Sequence, residues 1–386
     1  MRIIVNCSNL ISTGPVQVAV SFLNECKSHT ENTYLVFLSP RMVECINIDE
    51  YPDSFYFKII YNHPAYGFGG MYSVSLMKKY ENSFKPDCVF SVFGPSIWKP
   101  TVPHLQGFAY GYYIYTDSPV YKLMPLREKV KRYIMKKAHI YHLKRDGAYF
   151  VCETEDVSMR LKDLLRIEPR NVFTVTNTYN HYFHLFKPSS KQLLPDRTPE
   201  EYRMLLLSTA YPHKNLGILN EIIAFFEEQN IGRNISFVVT ISPQDYNKVF
   251  KEKVRHKIFN VGPVKPEDCP QLYFETDAIF APTLLECFSA NYPEAMVMRK
   301  PIVTTDLSFA RAICGDAALY FSPLDAKDAA LKIVAVVEKK EIREELIKNG
   351  LQRLTLFDSA SQRASKYLEI CRQISGNTKK NIYNLL

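Results

Sequence analysis

Two carboxylates eight positions apart, Glu286 and Glu294, stand in the stretch APTLLECFSANYPEAMVMRK at residues 281–300. An apolar run, Asp277-Ala278-Ile279-Phe280-Ala281, leads in, and Pro293-Glu294-Ala295-Met296 reads as the first turns of a helix. Strand, small-residue loop and helix in that order set backbone N–H groups and the positive end of a helix dipole before an anion. One carboxylate then lies in the loop beside the anion and the other on the helix behind it. A phosphate-bearing ligand with hydroxyls on both sides is what such a layout suits. Two glutamates at this spacing are commonplace on solvated helix faces; the flanking residues are what give the pair weight.

A cation is available in Ser208-Thr209-Ala210-Tyr211-Pro212-His213-Lys214-Asn215-Leu216, which follows another strand candidate. Lys214 stands at a helix start, where an ammonium can meet a phosphate, although a lysine so placed is most often just solvated. Gly14-Pro15 occupies the corresponding turn after the first strand. It lacks the G-x-G-x-x-G fingerprint, which argues against a dinucleotide cofactor of the usual kind. The nine cysteines are scattered without a CxxC pair. They fit buried thiols in a reducing cytosol better than a disulfide framework or a zinc site. His63, His181, His184 and His256 read as surface or core residues.

The elements that must position these groups alternate along the chain. Arg2–Asn6, Tyr34–Leu38, Phe57–Ile60, Cys88–Phe93, Thr101–Leu105, Ala148–Cys152 and Asn171–Thr176 read as strands, with helices near 15–26 and 71–80. A further helix opens at Glu153-Thr154-Glu155-Asp156, whose acids suit its amino end. Phe186–Glu201, rich in Pro, Ser and charge, is the linker candidate. The alternation then restarts with strands at Met204–Ser208, Ile235–Thr240, Ile258–Val261, Ala278–Ala281, Pro301–Thr305 and Ala318–Phe321. With 386 residues, too many for one ordinary core, this gives two α/β domains. Their expected bounds are 1–185 and 200–358, with a helix at about 360–386 packing back on the first. In open α/β sheets ligands bind at the carboxyl ends of the strands, and two such domains make a cleft between those ends.

The formal charge of +8 is concentrated. Between Arg127 and Arg145 eight Lys and Arg residues face one acid, Glu128, interleaved at helical spacing with Val130, Tyr133, Ile134, Ile140, Tyr141 and Leu143. Such a helix can lie on an anionic membrane surface. The plainer expectation is a solvated helix whose apolar side packs on its own domain. No recognised nucleic-acid module accompanies the charge, so no nucleic-acid partner is expected. Eighteen consecutive apolar residues occur nowhere, and the amino terminus reads as a first strand rather than a signal peptide. The aromatic run Phe108-Ala109-Tyr110-Gly111-Tyr112-Tyr113 could stack on a sugar, with packing the safer reading.

Together these pieces resemble the retaining, nucleotide-sugar-dependent glycosyltransferases with a two-domain GT-B fold, the "glycosyl transferases group 1" family. Ala281-Pro282-Thr283-Leu284-Leu285-Glu286-Cys287-Phe288-Ser289 is similar to that family's P-S-x-x-E-G-F-G, and Glu294-Ala295-Met296 to its E-A-M. Pro301-Ile302-Val303-Thr304-Thr305-Asp306, Gly315-Asp316-Ala317-Ala318 and Pro212-His213-Lys214-Asn215 resemble its P-V-V-x-S-D, G-D-A-A and P-x-K-N elements. The resemblance is strong over 204–357 and fair over 146–180, where Asp146–Glu153 is similar to D-x-x-x-x-x-S-E with Cys152 for the serine.

The resemblance implies a role for each matching residue. Glu286 would contact the donor sugar, and Phe288, Ser289 and Ala290 would offer N–H groups to sugar and diphosphate. Glu294 would hold the ribose hydroxyls, and Lys214 would neutralise the departing diphosphate. Gly14 would let its loop approach that diphosphate, and His104 would match a family histidine at the end of a first-domain strand. Thr209 aligns with the arginine that often accompanies the lysine, Cys287 and Ser289 with customary glycines, and Gly14 with a glycine pair.

The expected fold is therefore α/β with two Rossmann-like domains facing across a cleft. The expected activity is transfer of a hexose-type sugar, with retention, from a nucleoside-diphosphate donor to a saccharide or lipid-linked acceptor in polysaccharide biosynthesis. No D-x-D motif is present, so no metal is expected, and no cofactor apart from the donor substrate. The expected location is cytoplasmic, peripheral at the inner membrane face. A sugar-nucleotide 2-epimerase and a catalytically silent sugar-nucleotide-binding subunit are the alternatives.

Overall fold

The computed structural model describes residues 1–189 and 192–383. Ser190 and Lys191 of the expected linker, and the last three positions of the expected C-terminal helix, lie outside the described residues. The chain divides into two units. The first comprises Met1–Ile114, Leu126–Asn177 and the segment from Asp358 onward; the second comprises Tyr115–Pro125 and Thr178–Phe357. The boundary thus falls at Asn177, earlier than the expected 185, and a short piece of the chain's first half belongs to the second unit.

The first unit is built on a seven-stranded parallel sheet in the order β3-β2-β1-β4-β5-β6-β7. Its strands are β1 (Arg2–Cys7), β2 (Thr33–Leu38), β3 (Phe55–Ile59), β4 (Cys88–Ser91), β5 (His104–Gly107), β6 (Tyr149–Cys152) and β7 (Val172–Thr174). Alternate side chains enter different cores, as the period of two requires. Ile3 and Val5 pack with Phe22, Phe90 and Tyr367 on one face, while Ile4 packs with Phe37, Met77 and Trp98 on the other. Burial on both faces is why these strands read as unbroken apolar runs. The first core is completed by the C-terminal helix Ala360–Tyr383, which contributes Ala364, Leu368, Cys371 and Ile374. Arg363 of that helix is buried; its guanidinium donates to Asn177 Oδ1 and, at 2.9 Å, to Ser21 Oγ.

The second unit has a six-stranded parallel sheet in the order β10-β9-β8-β11-β12-β13. These strands are β8 (Tyr202–Leu206), β9 (Ile235–Val239), β10 (Ile258–Asn260), β11 (Ala278–Ala281), β12 (Ile302–Thr305) and β13 (Ala318–Phe321). Met204, Phe237, Phe280 and Val303 form its core with Ile222, Phe226 and Ile333 from two covering helices. The chain moves outward from β8 through β9 to β10, then returns to the other side of β8 as β11. That reversal is a topological switch point, which opens a crevice at the carboxyl ends of β8 and β11.

Two expectations about elements need correction. The strand expected at Thr101–Leu105 runs instead over His104–Gly107. Pro103 has no N–H for a ladder, so the β-branched Thr101 and Val102 before it lie outside the strand. The basic helix, Leu126–Asp146, does not pack its apolar side on its own unit: of its residues only Leu143 and Asp146 are buried, while Val130, Tyr133, Ile134 and Tyr141 are exposed. Periodicity shows that a helix has an apolar side but not which way that side points. Among the described residues no helix is long and apolar enough to cross a membrane. All nine cysteines are free thiols, with Cys45 and Cys269 half-buried and the others buried.

Candidate active site

The loops that follow β8 and β11 supply the site. After β8 the chain makes a one-turn helix, Pro212–Lys214, and Asn215 takes a left-handed φ of 51° to redirect it into the next helix. After β11 it runs through Pro282–Ala290 into the short helix Asn291–Val297. The two loops are stapled together. Leu284 N–H donates to His213 O at 2.7 Å, and Thr283 Oγ1 lies 3.2 Å from the same oxygen and 3.3 Å from Glu286 Oε1. Thr305 Oγ1 at the end of β12 holds Thr283 O at 2.6 Å, and Asn291 Nδ2 donates to Leu207 O at 2.6 Å. Backbone at the crevice is thereby fixed before any ligand arrives.

Within this frame Lys214 and Glu286 form an ion pair through Nζ and Oε1, with side chains only 19% and 14% exposed. Ser208, Ser289 and Asn291 line the same small crevice. The N–H groups of Phe288, Ser289 and Ala290 have no acceptor among the described residues. Partly shielded from water, the cation and these N–H groups present donors to an anion, and the carboxylate presents an acceptor to hydroxyls. The helix that follows has only seven residues, so Lys214 is the larger source of positive potential. Cys287 and Ser289, which replace the expected glycines, have no left-handed φ. The loop therefore reaches its course without the freedom that glycine provides.

Glu294 lies on that helix, one turn behind the loop. Tyr273 OH donates to its Oε2 at 3.0 Å and also lies 3.3 Å from Asn291 O. Burial pushes the Glu294 carboxyl up to about 7, with the Tyr273 hydrogen bond pulling the other way. Glu286 and Glu294 thus have different neighbours, one a cation and the other a phenol. Phe288 meets Phe357 edge-on at 6.2 Å. Thr209 is exposed in its loop, where its carbonyl accepts from Ser208 Oγ at 2.7 Å. A larger cavity of the second unit, about 460 Å³, lies beside the edge strand β10 between Pro195, Val261 and Asp268 and contains none of the expected site residues.

Gly14 and His104 belong to the first unit. Gly14 sits in the first turn of helix Thr13–Cys26, and a Cβ there would meet nothing within 4 Å. Nothing in the protein itself requires glycine at this position. His104 is the first residue of β5, not the last, and is buried. Its Nδ1 donates to Asp146 O at 2.6 Å, which leaves Nε2 to accept from Ser91 Oγ at 2.8 Å. Burial lowers its pKa to about 4 against the opposing pull of the Asp146 carbonyl, so the ring is neutral near pH 7.

Sequence reasoning missed four contributors. Thr283 was legible as part of A-P-T-L-L-E, but not as the staple between loops. Asn291 had no signal beyond its place between the two glutamates. Tyr273 is brought to Glu294 by helix packing across 21 positions of sequence. Ser118, from the segment Tyr115–Pro125, donates through Oγ to Leu284 O at 2.6 Å and braces the Glu286 loop from the far side of the sequence.

Residues 196–353 match the sequence profile of the family described as glycosyl transferases group 1. No curated protein matches the chain in sequence. Among solved structures, a glycosyltransferase from Rickettsia africae ESF-5 superposes with a TM-score of 0.71 at 17% identity, over 97% of this chain and 98% of that one. Anabaena Alr3699/HepE in complex with UDP and glucose gives 0.71 at 12% identity, over 97% and 100%. Sucrose-phosphate synthase (tll1590) from Thermosynechococcus elongatus gives 0.73 at 14% identity, over 97% and 99%. At such identities the likeness establishes the shared α/β fold.

Proposed function

We propose, from the premise that residues 196–353 belong to the glycosyl transferases group 1 family, that the chain transfers a hexose-type sugar from a nucleoside-diphosphate donor to a saccharide or lipid-linked acceptor with retention of configuration. The observation that carries this reading is the Lys214–Glu286 pair, held at the switch point beside three unpaired N–H groups. A diphosphate entering there meets a cation whose charge is already oriented. Negative charge grows on the diphosphate as the sugar's C1–O bond breaks, so Lys214 stabilises the transition state more than the ground state. Glu286, relieved of part of its partner, accepts from sugar hydroxyls. The acceptor oxygen bonds to C1 on the face that the diphosphate leaves, and its proton passes to a departing phosphate oxygen.

Glu294 accepts from the ribose hydroxyls, and Phe288, Ser289 and Ala290 donate to the diphosphate. Gly14, where no protein contact calls for glycine, leaves room for a phosphate to approach its loop. Lys214 does the work that a divalent cation does elsewhere, so the transfer is metal-independent. A lipid-linked acceptor is met at a membrane surface, and on this reading the protein is cytoplasmic, peripheral to the membrane and acts in polysaccharide biosynthesis.

Incubation with a panel of nucleotide sugars, with and without EDTA, tests the reading. Sugar transfer that survives EDTA is expected, and Lys214→Ala lowers kcat/KM by about 10²–10³. Glu286→Ala abolishes transfer in a protein that still folds. Transfer unchanged in Glu286→Ala would remove Glu286 from the reaction, nucleotide-sugar binding without transfer by the wild type would mark a catalytically silent binding subunit, and loss of activity on chelation would sink metal independence.

A further inference from the structure

We propose that the outward side of the basic helix Leu126–Asp146 and the first turns of helix Gly67–Phe84 form one docking surface for an anionic lipid bilayer. The basic helix meets its own unit along Arg132, Lys136, His139, Leu143 and Asp146, at steps of four and three that keep to one side of a 3.6-residue helix. Lys136 Nζ donates to Tyr113 O at 2.7 Å there, and His139 Nδ1 lies 2.9 Å from Tyr113 OH. Leu126, Val130 and Ile134 follow one another at four-residue steps on the opposite side and are 76%, 51% and 63% exposed. Tyr133 and Tyr141 extend that stripe at 62% and 61%. Apolar side chains turned away from the fold have nothing in this unit to bury against.

Cations border the stripe. Arg127, Lys129, Lys131, Lys137 and Lys144 are all exposed. Glu128 is paired with Arg132 at 3.0 Å, so its charge is offset on the inward side. The second helix adds Phe68, Met71 and Tyr72, at 89%, 67% and 66% exposure, on one side of its first turns. The residues just before the second helix come near those on which the basic helix packs. Tyr66, just before the second helix, lies near Tyr110, and His63 lies near His139. The Tyr110 ring stacks on Tyr113 at 5.0 Å and meets His139 edge-on at 5.1 Å.

Lysine and arginine heads suit lipid phosphates, while aromatic and aliphatic side chains suit the boundary between headgroups and acyl chains. A nucleic acid would use the cations and leave Val130, Ile134 and Phe68 in water. The apolar stripe is therefore what selects the bilayer. The proposal stands apart from sugar transfer, because binding is measured without a donor.

The test is co-sedimentation of the full chain with vesicles of phosphatidylcholine alone, or containing about one-third phosphatidylglycerol, at about 0.05 and 0.5 M NaCl. Binding is expected only to the anionic vesicles and weakens with salt. Lys129→Glu/Lys131→Glu/Lys137→Glu and, separately, Val130→Glu/Ile134→Glu each lower the partition coefficient by about tenfold or more. Phe68→Ser lowers it by a smaller factor. These positions are exposed, so thermal melting of the variants stays that of the wild type. Failure of the wild type to bind anionic vesicles overturns the proposal. So does wild-type binding by Val130→Glu/Ile134→Glu, which would mean attraction by charge alone. Unchanged binding by Phe68→Ser would remove the second helix from the surface.

Discussion

Glu294 and His104 are both buried ionisable groups with one or two fixed partners, and burial shifts their pKa values in opposite directions, each toward the neutral form. His104 is held neutral by burial, with Asp146 O fixing its tautomer, so no proton is available from it near neutrality. The Glu294 carboxyl, pushed up to about 7, gains its charge close to neutral pH. Folding stability therefore falls as pH rises from the unfolded carboxyl pKa toward 7, because the unfolded chain releases this proton more readily. Ligand affinity follows the other sign. A carboxylate accepts from both ribose hydroxyls, whereas the acid form carries a proton that competes for one oxygen. Affinity for a nucleoside diphosphate is expected to drop by up to about tenfold between pH 8.5 and pH 6, beyond any loss from the ligand's own phosphates. Isothermal titration calorimetry of wild type and Glu294→Gln separates the two contributions, since only the ligand's share remains in the variant. Parallel pH profiles for the two proteins would remove Glu294 from the ribose.

At the scale of elements, the C-terminal helix shows how a distant segment is held. Arg363 donates to Asn177 and Ser21, and Asn177 in turn donates to Glu153 Oε1 at 2.7 Å, all inside the first unit. Arg363→Met keeps the aliphatic volume but removes the cation and its hydrogen bonds to Asn177 Oδ1 and Ser21 Oγ. A loss of about 3 kcal/mol is expected, read as a lower urea midpoint with the slope unchanged. An unchanged midpoint would mean that packing by Leu368 and Ile374 alone holds the helix. This network had no signal in the sequence, because its members stand up to 342 positions apart. The strands were more legible. Ile3-Ile4-Val5 and Ile235–Val239 are covered on both faces, so apolar runs marked their course to within a residue or two. Legibility failed at β5, where Thr101 and Val102 have strand character but Pro103 interrupts the ladder. It failed also at Tyr115–Pro125, since nothing local in that segment announces that Ser118 will hold Leu284 O.

For the whole molecule, the candidate site was legible where chemistry and backbone course coincide. Lys214 and Glu286 stand in segments that leave the carboxyl ends of β8 and β11, Glu294 stands on the short helix that follows, and the alternation of strands and helices marks the sheet as parallel. The residues that orient them, Thr283, Tyr273 and Ser118, depend on how elements pack and so were silent. Each unit has its own core, built around Phe22, Phe90 and Tyr367 in the first and Phe237, Phe280 and Val303 in the second. Separate cores allow separate openings, so one transition need not describe the chain. A ligand that binds only the folded second unit stabilises that unit by mass action and slows its exchange. Hydrogen exchange with uridine, guanosine and adenosine diphosphates in turn is expected to show protection at residues 207–216 and 283–297 with at least one of them. The first-unit amides of β1, β2 and β4 keep their rates, because their core gains no ligand contact. Protection confined to the first unit would place the nucleotide on the other sheet and would leave the Lys214–Glu286 pair as an internal brace of its two loops.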